Sequence, residues 1–239
     1  MPRFYIDTPL VDNMPIDLPE AVCRHVQVLR LQPGDIITLF DGNGHEIDAV
    51  LADIAKKRAT VLTQSIRQTD RESPLNTTLV QAVSSGDRMD YTLQKAVELG
   101  VTTIIPVISE RSVVRLQGER AEKRIQHWQG IVISACEQCG RNTVPTVHAL
   151  QSFNDWVKQP KPIALKLMLS PQGSGRVRDL QPVTEIALLA GPEGGLTAAE
   201  EAAAMNVGWQ PLKLGPRILR TETAAVATIA ALQALWGDV

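Results

Sequence analysis

Residues 186–200 read IALLAGPEGGLTAAE, a strand, a tight loop and a helix start in succession. The apolar run 186–190 predicts a buried strand, and GPEGG at 191–195 predicts a loop. Thr197, followed three residues later by Glu200, predicts a capping box at the start of a helix. We expect the three glycines to supply backbone with positive φ and to let a ligand approach closely. The stretch predicts a βα unit with a ligand-binding loop.

A second unit of the same kind follows at 212–225, which reads LKLGPRILRTETAA. A short strand at 212–214 leads into a loop at 215–220, and Thr221 is the predicted cap of the next helix. Loops at the carboxyl ends of strands form the ligand site of open α/β sheets, so we expect these two loops to be adjacent and to form one site. The sequence has no dinucleotide fingerprint and no P-loop. No basic residue lies within 191–200, which favours a ligand without phosphate groups.

Taken together, GPEGG and LGPRILRTETA resemble the knotted SPOUT class of S-adenosylmethionine-dependent RNA methyltransferases. Within that class they are most similar to the bacterial 16S ribosomal RNA uridine-N3 methyltransferase family. Three other segments resemble further signatures in the family's order: HVQVLRLQPGD at 25–35, AVELGVTTIIPVISERSV at 96–113 and ISACEQCGR at 133–141. The resemblance implies a PUA-like β-barrel RNA-binding domain over residues 1–70. It also implies an α/β methyltransferase domain with a parallel sheet and a trefoil knot over residues 75–239.

The resemblance also implies S-adenosylmethionine as the methyl donor, bound by the two loops and the end of a neighbouring strand. Backbone groups of the loops are expected to meet the adenine, and leucines to form apolar walls. Glu193 has two open interpretations: it recognises a ribose hydroxyl, or it organises its own loop. The predicted cofactor-binding residues are Leu169, Gly191, Pro192, Glu193, Gly195, Leu214, Gly215, Ile218 and Leu219.

Methylation of uracil N3 requires loss of a proton and stabilisation of negative charge on the flanking carbonyls. Arginine suits this task because its planar donor fork carries a permanent charge. The predicted catalytic residues are Arg141 after the helix end in EQCGR, Arg220 in ILRTET, and Arg3. Two alternatives stay open: a helix C-cap contact for Arg141 and a salt bridge to Glu222 for Arg220. No histidine or carboxylate stands out as the general base.

A formal net charge of −2 excludes a globally basic nucleic-acid binder, so any RNA contact must come from local clusters. The predicted RNA-binding residues are Arg3, Arg24, His25, Arg30 and Arg111, and further basic clusters lie at 56–58 and 115–124. One segment departs from the family pattern. SSGDR at 84–88 stands where relatives commonly carry lysines, which weakens the case for a basic RNA contact there.

Local patterns predict most of the remaining elements. The charged run 67–74 is interpreted as a linker between a β-rich part and a part of alternating strands and helices. The predicted strands are 36–40, 45–51, 59–66, 77–83, 101–108 and 163–169, with a tight turn at 41–44; the predicted helices are 87–99, 119–139 and 153–158.

The chain has no N-terminal apolar segment typical of a secretory signal, and its most apolar stretch, 224–235, is too short for a membrane span. Three cysteines indicate a reducing, cytoplasmic setting. No metal site is expected: Cys136 and Cys139 are interpreted as small core residues. The resemblance implies 16S rRNA or the 30S subunit as partner, and a homodimer; the last helix, 224–236, offers either a subunit contact or intrachain core.

Two functions of other kinds remain as alternatives. One is a SPOUT enzyme that methylates the ribose 2′-oxygen, with the same cofactor loops and a different RNA-binding domain. The other is a non-catalytic ribosome-assembly factor that binds RNA through its barrel. Both cofactor loops are retained intact, which argues against the assembly factor.

Overall fold

The computed structural model describes residues 1–55, 58–114, 116–159 and 162–239. It divides into two compact units. The first comprises Met1–Glu72 and Cys136–Val144, and the second comprises Ser73–Ala135 and Pro145–Val239. Of the predicted basic clusters, Lys56, Lys57 and Arg115 lie outside the described residues.

The first unit is built on a five-stranded sheet in the order β1-β3-β4-β5-β2. The β3–β4, β4–β5 and β2–β5 pairs are antiparallel, and β1 runs parallel to β3. Asp41 shapes the β3–β4 turn, because its Oδ1 accepts hydrogen bonds from the amides of Asn43 and His45. The strands are β1 (Arg3–Tyr5), β2 (Pro15–Asp17), β3 (Ile36–Phe40), β4 (His45–Ile54) and β5 (Ala59–Gln68).

A helix that the sequence patterns did not predict closes the core of this unit. Helix α1 spans Glu20–Val28 and buries Val22, Cys23 and Val26 against the sheet. These three positions lie on one face at helical spacing, so burial of that face stabilises a helix of only nine residues. The predicted linker run begins inside β5, where Arg67 forms an ion pair with Asp48 at 2.7 Å.

The second unit is an α/β layer structure, as expected, with a seven-stranded sheet in which every pairing is parallel. The order is β12-β10-β11-β6-β7-β8, and β9 also pairs with β7. The strands are β6 (Asn76–Ala82), β7 (Thr103–Ile108), β8 (Thr146–Val147), β9 (Gln151–Ser152), β10 (Leu165–Leu169), β11 (Glu185–Ala190) and β12 (Gln210–Leu212); the helices are α2 (Gly86–Glu98), α3 (Glu119–Cys139), α4 (Phe153–Val157), α5 (Ala198–Asn206) and α6 (Thr221–Trp236), with a 3₁₀ turn at Val177–Asp179.

The strands that precede the two predicted loops are not neighbours, because β10 lies between β11 and β12. Residues 211–213 are hydrogen-bonded on both sides by the chain that leaves β10. The amide of Ser170 donates to the carbonyl of Leu212 at 3.0 Å, and the amide of Lys213 donates to the carbonyl of Gly175 at 3.0 Å. The peptide between Leu212 and Lys213 is therefore flanked by two residues of the β10–β11 connection, Ser170 and Gly175.

Across the described ranges, no helix is both long and apolar enough to cross a lipid bilayer.

Candidate functional site

The two predicted loops meet at the carboxyl edge of the parallel sheet, although β10 separates their strands. The GPEGG loop, residues 191–195, follows β11, and the LGPRILR loop, residues 214–220, follows β12. The hydroxyl of Thr221 donates to the carbonyl of Gly191 at 2.6 Å. The prediction that Thr221 caps α6 is wrong, since the N-cap is Arg220 and Thr221 is the first helical residue. Its hydroxyl joins the loops instead.

Glycine is required in the GPEGG loop for two different reasons. Gly195 has a φ of +68°, and a Cβ there would meet no atom within 4 Å. Gly191 and Gly194 do not have positive φ, so that part of the expectation is wrong. They are needed for space: a Cβ on Gly191 would stand 3.0 Å from the amide nitrogen of Leu196, and one on Gly194 would stand 3.3 Å from Cβ of Arg111.

The helix after the GPEGG loop starts as predicted, with the reciprocal capping box of Thr197 and Glu200. Glu200 also ties the loop after β7 into the site, because its Oε1 accepts from the amide of Glu110 at 2.8 Å. Beside it, Nη1 of Arg111 donates to the carbonyl of Gly194 at 2.9 Å. Arg111, predicted as an RNA contact, is thus placed against the backbone of the GPEGG loop.

Glu193 is bound by the start of α2. Its Oε1 accepts from the amide and hydroxyl of Ser85 at 2.7 and 2.6 Å, and lies 3.2 Å from Nη1 of Arg88. Burial alone would raise the pKa of Glu193, but the hydrogen bonds from Ser85 and Arg88 outweigh it and hold the pKa below the ordinary 4.5. Ser85 is the N-cap of α2 but forms no side-chain cap bond, since its hydroxyl is used by Glu193. This geometry fits the loop-organising interpretation of Glu193.

Apolar side chains border both loops. Leu169, Leu214 and Leu219 are half-buried, Pro192 is buried, and Ile218 is 85% exposed. Gly215 has a φ of +73° and, like Gly195, leaves its backbone open on the Cβ side. Bare backbone beside half-buried leucines, with no basic residue in 191–200, fits a cofactor with an aromatic base and no phosphate.

Comparison with known proteins finds RNA methyltransferases that match this chain along its whole length. A family model described as an RNA methyltransferase domain matches residues 71–233, and one described as an RNA methyltransferase PUA domain matches residues 18–64. The curated ribosomal RNA small subunit methyltransferase E of Buchnera aphidicola (subsp. Schizaphis graminum) is 34% identical over 241 residues, covering 100% of this chain and 98% of the relative. The chain belongs to the ribosomal RNA small subunit methyltransferase E family.

Two solved structures resemble this one closely. Ribosomal RNA small subunit methyltransferase E from Neisseria gonorrhoeae, bound to S-adenosyl methionine, is 51% identical with a TM-score of 0.96 and covers 100% of this chain and 99% of its own. A Legionella pneumophila methyltransferase in complex with the same cofactor is 40% identical with a TM-score of 0.95, covering 99% and 98%. The methyltransferase E resemblance inferred from the sequence is confirmed, together with the PUA domain and the α/β fold with a parallel sheet; the trefoil knot stays a prediction.

The three arginines predicted to act on uracil, the methyl acceptor, do not all lie in one unit. Arg141 and Arg3 belong to the first unit, and both are ion-paired. The side chain of Arg141 is 5% exposed, and its Nε and Nη2 donate to the carboxylate of Glu72. Arg3 pairs with Glu46 at 2.7 Å and also donates to Asn142. The catalytic roles of these two arginines stay predictions.

Arg220 belongs to the second unit and is exposed at the N-cap of α6. The alternative interpretation of Arg220, a salt bridge with Glu222, is not found among the ion pairs of the described residues. Glu222 instead faces Nε of Arg88 at 3.9 Å. Arg220, the last residue of the LGPRILR loop, is therefore exposed at the surface.

Three of the predicted RNA-binding residues are exposed on α1 or directly after it. Arg24 and His25 are exposed on α1, Arg30 is exposed just after it, and Val28 and Leu29 between them in sequence are exposed as well. Exposed basic residues beside apolar side chains suit contact with both phosphates and bases. Arg3 is not exposed in this way, because Glu46 and Asn142 hold its mostly buried guanidinium within the unit.

Sequence reasoning missed Gln81, Ser85 and Arg88 as parts of the site. Nε2 of Gln81 donates to the carbonyl of Ala82 at 3.0 Å and lies 3.4 Å from both the carbonyl of Gly191 and the hydroxyl of Thr221. The one local signal was Ser85 ahead of a helical pattern, a typical N-cap. Nothing in the sequence connects Arg88 to a loop more than 100 residues away.

Cys136 and Cys139 do not belong to a metal-binding group among the residues that the structure describes. Over the described ranges, no group of three or more His, Cys, Asp or Glu side chains could hold a metal ion. Cys136 is buried, and burial raises the pKa of its thiol to about 12, which keeps it protonated.

Proposed function

We propose that this protein transfers a methyl group from S-adenosylmethionine to N3 of a uridine in 16S ribosomal RNA. The observation that carries the proposal is the pair of loops at the carboxyl edge of the sheet, in a fold shared at a TM-score of 0.96 with a methyltransferase E structure bound to S-adenosyl methionine. When bound, the cofactor supplies an electrophilic methyl group on a sulfonium. The protein's task is then to orient donor and acceptor in line.

The cofactor is proposed to lie between the GPEGG and LGPRILR loops. Backbone at Gly195 and Gly215 is open to a ligand, and Leu169, Leu214 and Leu219 provide apolar walls. Glu193 acts chiefly by holding the GPEGG loop against α2, since Ser85 and Arg88 already occupy its Oε1.

Arg220 is proposed to stabilise the uracil anion. It is exposed, is the last residue of the LGPRILR loop, and makes no ion pair with another described residue. Arg141 and Arg3 are weaker candidates for direct contact with the base, because their donors are directed at Glu72 and Glu46. For them we propose a supporting role, in which the ion pairs fix residues 140–142 within the first unit.

The exposed residues Arg24 and His25 on α1 and Arg30 just after it are proposed to contact RNA. A chain with net charge −2 has little general affinity for polyanions, which favours a substrate recognised through shape on an assembled 30S subunit. We further propose that the enzyme is a cytoplasmic homodimer.

A transfer assay with methyl-labelled S-adenosylmethionine tests the substrate. We expect label on 16S RNA within 30S subunits, with less on naked 16S RNA and none on transfer RNA. Label on transfer RNA alone would refute the assignment to small-subunit RNA, and failure of the purified protein to bind the cofactor would favour a non-catalytic assembly factor.

A further inference from the structure

Arg88 lies between two carboxylates, one in the GPEGG loop and the other in the first turn of α6. It is in the first turn of α2, and its Nη1 is 3.2 Å from Oε1 of Glu193 in the GPEGG loop. Its Nε is 3.9 Å from Oε1 of Glu222 in the first turn of α6. One guanidinium therefore faces the GPEGG loop and the first turn of the helix that follows the LGPRILR loop.

Arg88 is the ion-pair partner that the two carboxylates share. The side chains of Glu193 and Glu222 are 20% and 14% exposed, and Oε2 of each is buried without a hydrogen-bond partner among the described residues. Two partly buried carboxylates near one another repel unless a cation lies between them. Within the described ranges, Arg88 is the residue that forms an ion pair with each of them.

Nε2 of Gln81 lies 3.4 Å from both the carbonyl of Gly191 and the hydroxyl of Thr221, and these two groups are themselves joined by a hydrogen bond of 2.6 Å. That bond fixes one distance between the start of the GPEGG loop and the start of α6. A second link through Arg88 would fix their relative orientation as well, because it attaches at Glu193 and Glu222, each further along its segment. Arginine can do this since its delocalised charge can face two carboxylates at once, here at 3.2 Å from Glu193 and 3.9 Å from Glu222.

We propose that Arg88 is a positioning residue of the cofactor site, which ties the GPEGG loop to the start of α6 and so preorganises both loops for the cofactor. The inference rests on the proposed function for the identity of the ligand. Arg88 itself takes no part in the transfer step. Its removal should lower cofactor affinity and leave the rate at saturating cofactor nearly unchanged.

The test compares wild type with Arg88→Ala, Arg88→Lys and the control Lys95→Ala, which removes an ion pair with Glu98 at the other end of α2. Calorimetry should show S-adenosylmethionine binding weakened about tenfold in Arg88→Ala, unchanged in Lys95→Ala and intermediate in Arg88→Lys, which can reach only one carboxylate well. The KM for the cofactor should rise to match, with kcat and the KM for RNA within about twofold of wild type. Wild-type affinity in folded Arg88→Ala, or a fall in kcat at unchanged affinity, would overturn the inference.

Hydrogen exchange of the ligand-free protein separates this inference from the proposed function. Amides at 191–197 and 221–225 should exchange faster in Arg88→Ala than in wild type or Lys95→Ala, and unchanged exchange would refute the link. If wild type fails to bind the cofactor, the proposed function falls while this comparison still decides the role of Arg88. If Arg88→Ala does not fold, Glu222→Gln serves instead, because it removes the ion pair with Arg88 without changing the size of the side chain. The same amides should then exchange faster than in wild type. Wild-type exchange rates in that variant would count against the inference.

Discussion

Individual glycines in the GPEGG loop have separable roles. Gly191 and Gly194 are limited by close neighbours, so any side chain there would displace backbone or Arg111. Gly195 has open space and is limited by its φ of +68°, a conformation that β-branched residues rarely adopt. Substitution at Gly195 should therefore alter the loop locally without disrupting the core beneath it.

Gly195→Val is expected to abolish S-adenosylmethionine binding in a protein that still folds, because the valine strains the loop and covers the backbone that meets the ligand. Calorimetry measures the binding, and circular dichroism the fold. The matched control is Gly34→Val in the first unit, where φ is +96° and space is also open. The control should have the same kind of backbone strain, of about 1–2 kcal/mol, and bind normally. Normal binding by folded Gly195→Val would remove this loop from the cofactor site.

Two arginines predicted to act on uracil should respond differently to truncation. Arg220→Ala should keep cofactor binding and thermal stability but lose most turnover, the pattern of an interaction made in the transition state. Arg141→Ala should also lose turnover, and it should lower stability as well, because it leaves the Glu72 carboxylate without its buried partner. Kinetics and thermal unfolding of both variants test this. An Arg220→Ala enzyme with wild-type kcat would exclude Arg220 from the acceptor site.

Among the larger elements, the segment 136–144 is fixed to the sheet of the first unit through Glu46. This carboxylate on β4 pairs with Arg3 and Arg71 and accepts from Asn142. Burial would raise the pKa of Glu46, but bonds from Arg3, Arg71 and Asn142 dominate and lower it from 4.5 to about 2. The folded state therefore favours the ionised form of Glu46, which contributes its full share to the free energy of unfolding above about pH 4.5. This contribution is lost as the pH falls towards about 2, where the carboxylate becomes protonated in the folded protein as well.

Thermal unfolding between pH 7 and pH 3 should therefore show a loss of stability below about pH 4.5 that is smaller in Glu46→Gln. The glutamine variant should also be less stable than wild type at pH 7, since it cannot pair with Arg3 and Arg71. Identical acid dependence in the two proteins would show that Glu46 does not carry this effect.

Local sequence patterns predicted the elements that have strong periodicity or clear end signals. Helix α3 was predicted at its observed bounds, and the capping box of Thr197 and Glu200 was found as expected. Helix α1 was missed because it has nine residues, several of them β-branched, and depends on tertiary burial of Val22 and Val26. The strand order, the hydrogen bonds between β12 and the β10–β11 connection, and the ion pairs of Arg88 join residues far apart in sequence, so no local pattern contains them.

At the scale of the whole molecule, the last helix had two open interpretations, a subunit contact or part of the intrachain core. Helix α6 buries Ala225, Thr228, Ile229 and Leu232, so it contributes to the core of the second unit. Ala227, Ala234 and Leu235 on other faces are exposed, as is Ile218 ahead of the helix. Apolar surface of this kind beside the site favours contact with a second copy.

Light scattering at micromolar concentration should give a mass near twice the 26.1 kDa of one chain. Because the exposed apolar residues lie on α6 and just before it, Leu235→Glu should shift the equilibrium towards monomer, whereas Glu98→Gln on α2 should not. A wild-type mass of one chain at all concentrations tested would contradict the homodimer.

The identity of the modified atom is the central claim, and mass spectrometry of nucleosides tests it. 30S subunits that lack the modification are incubated with enzyme and methyl-labelled S-adenosylmethionine, and the 16S RNA is then digested and analysed. We expect the label in N3-methyluridine, and expect Gly195→Val enzyme to produce none. Label on a ribose, or on any base other than uracil, would contradict the proposed function.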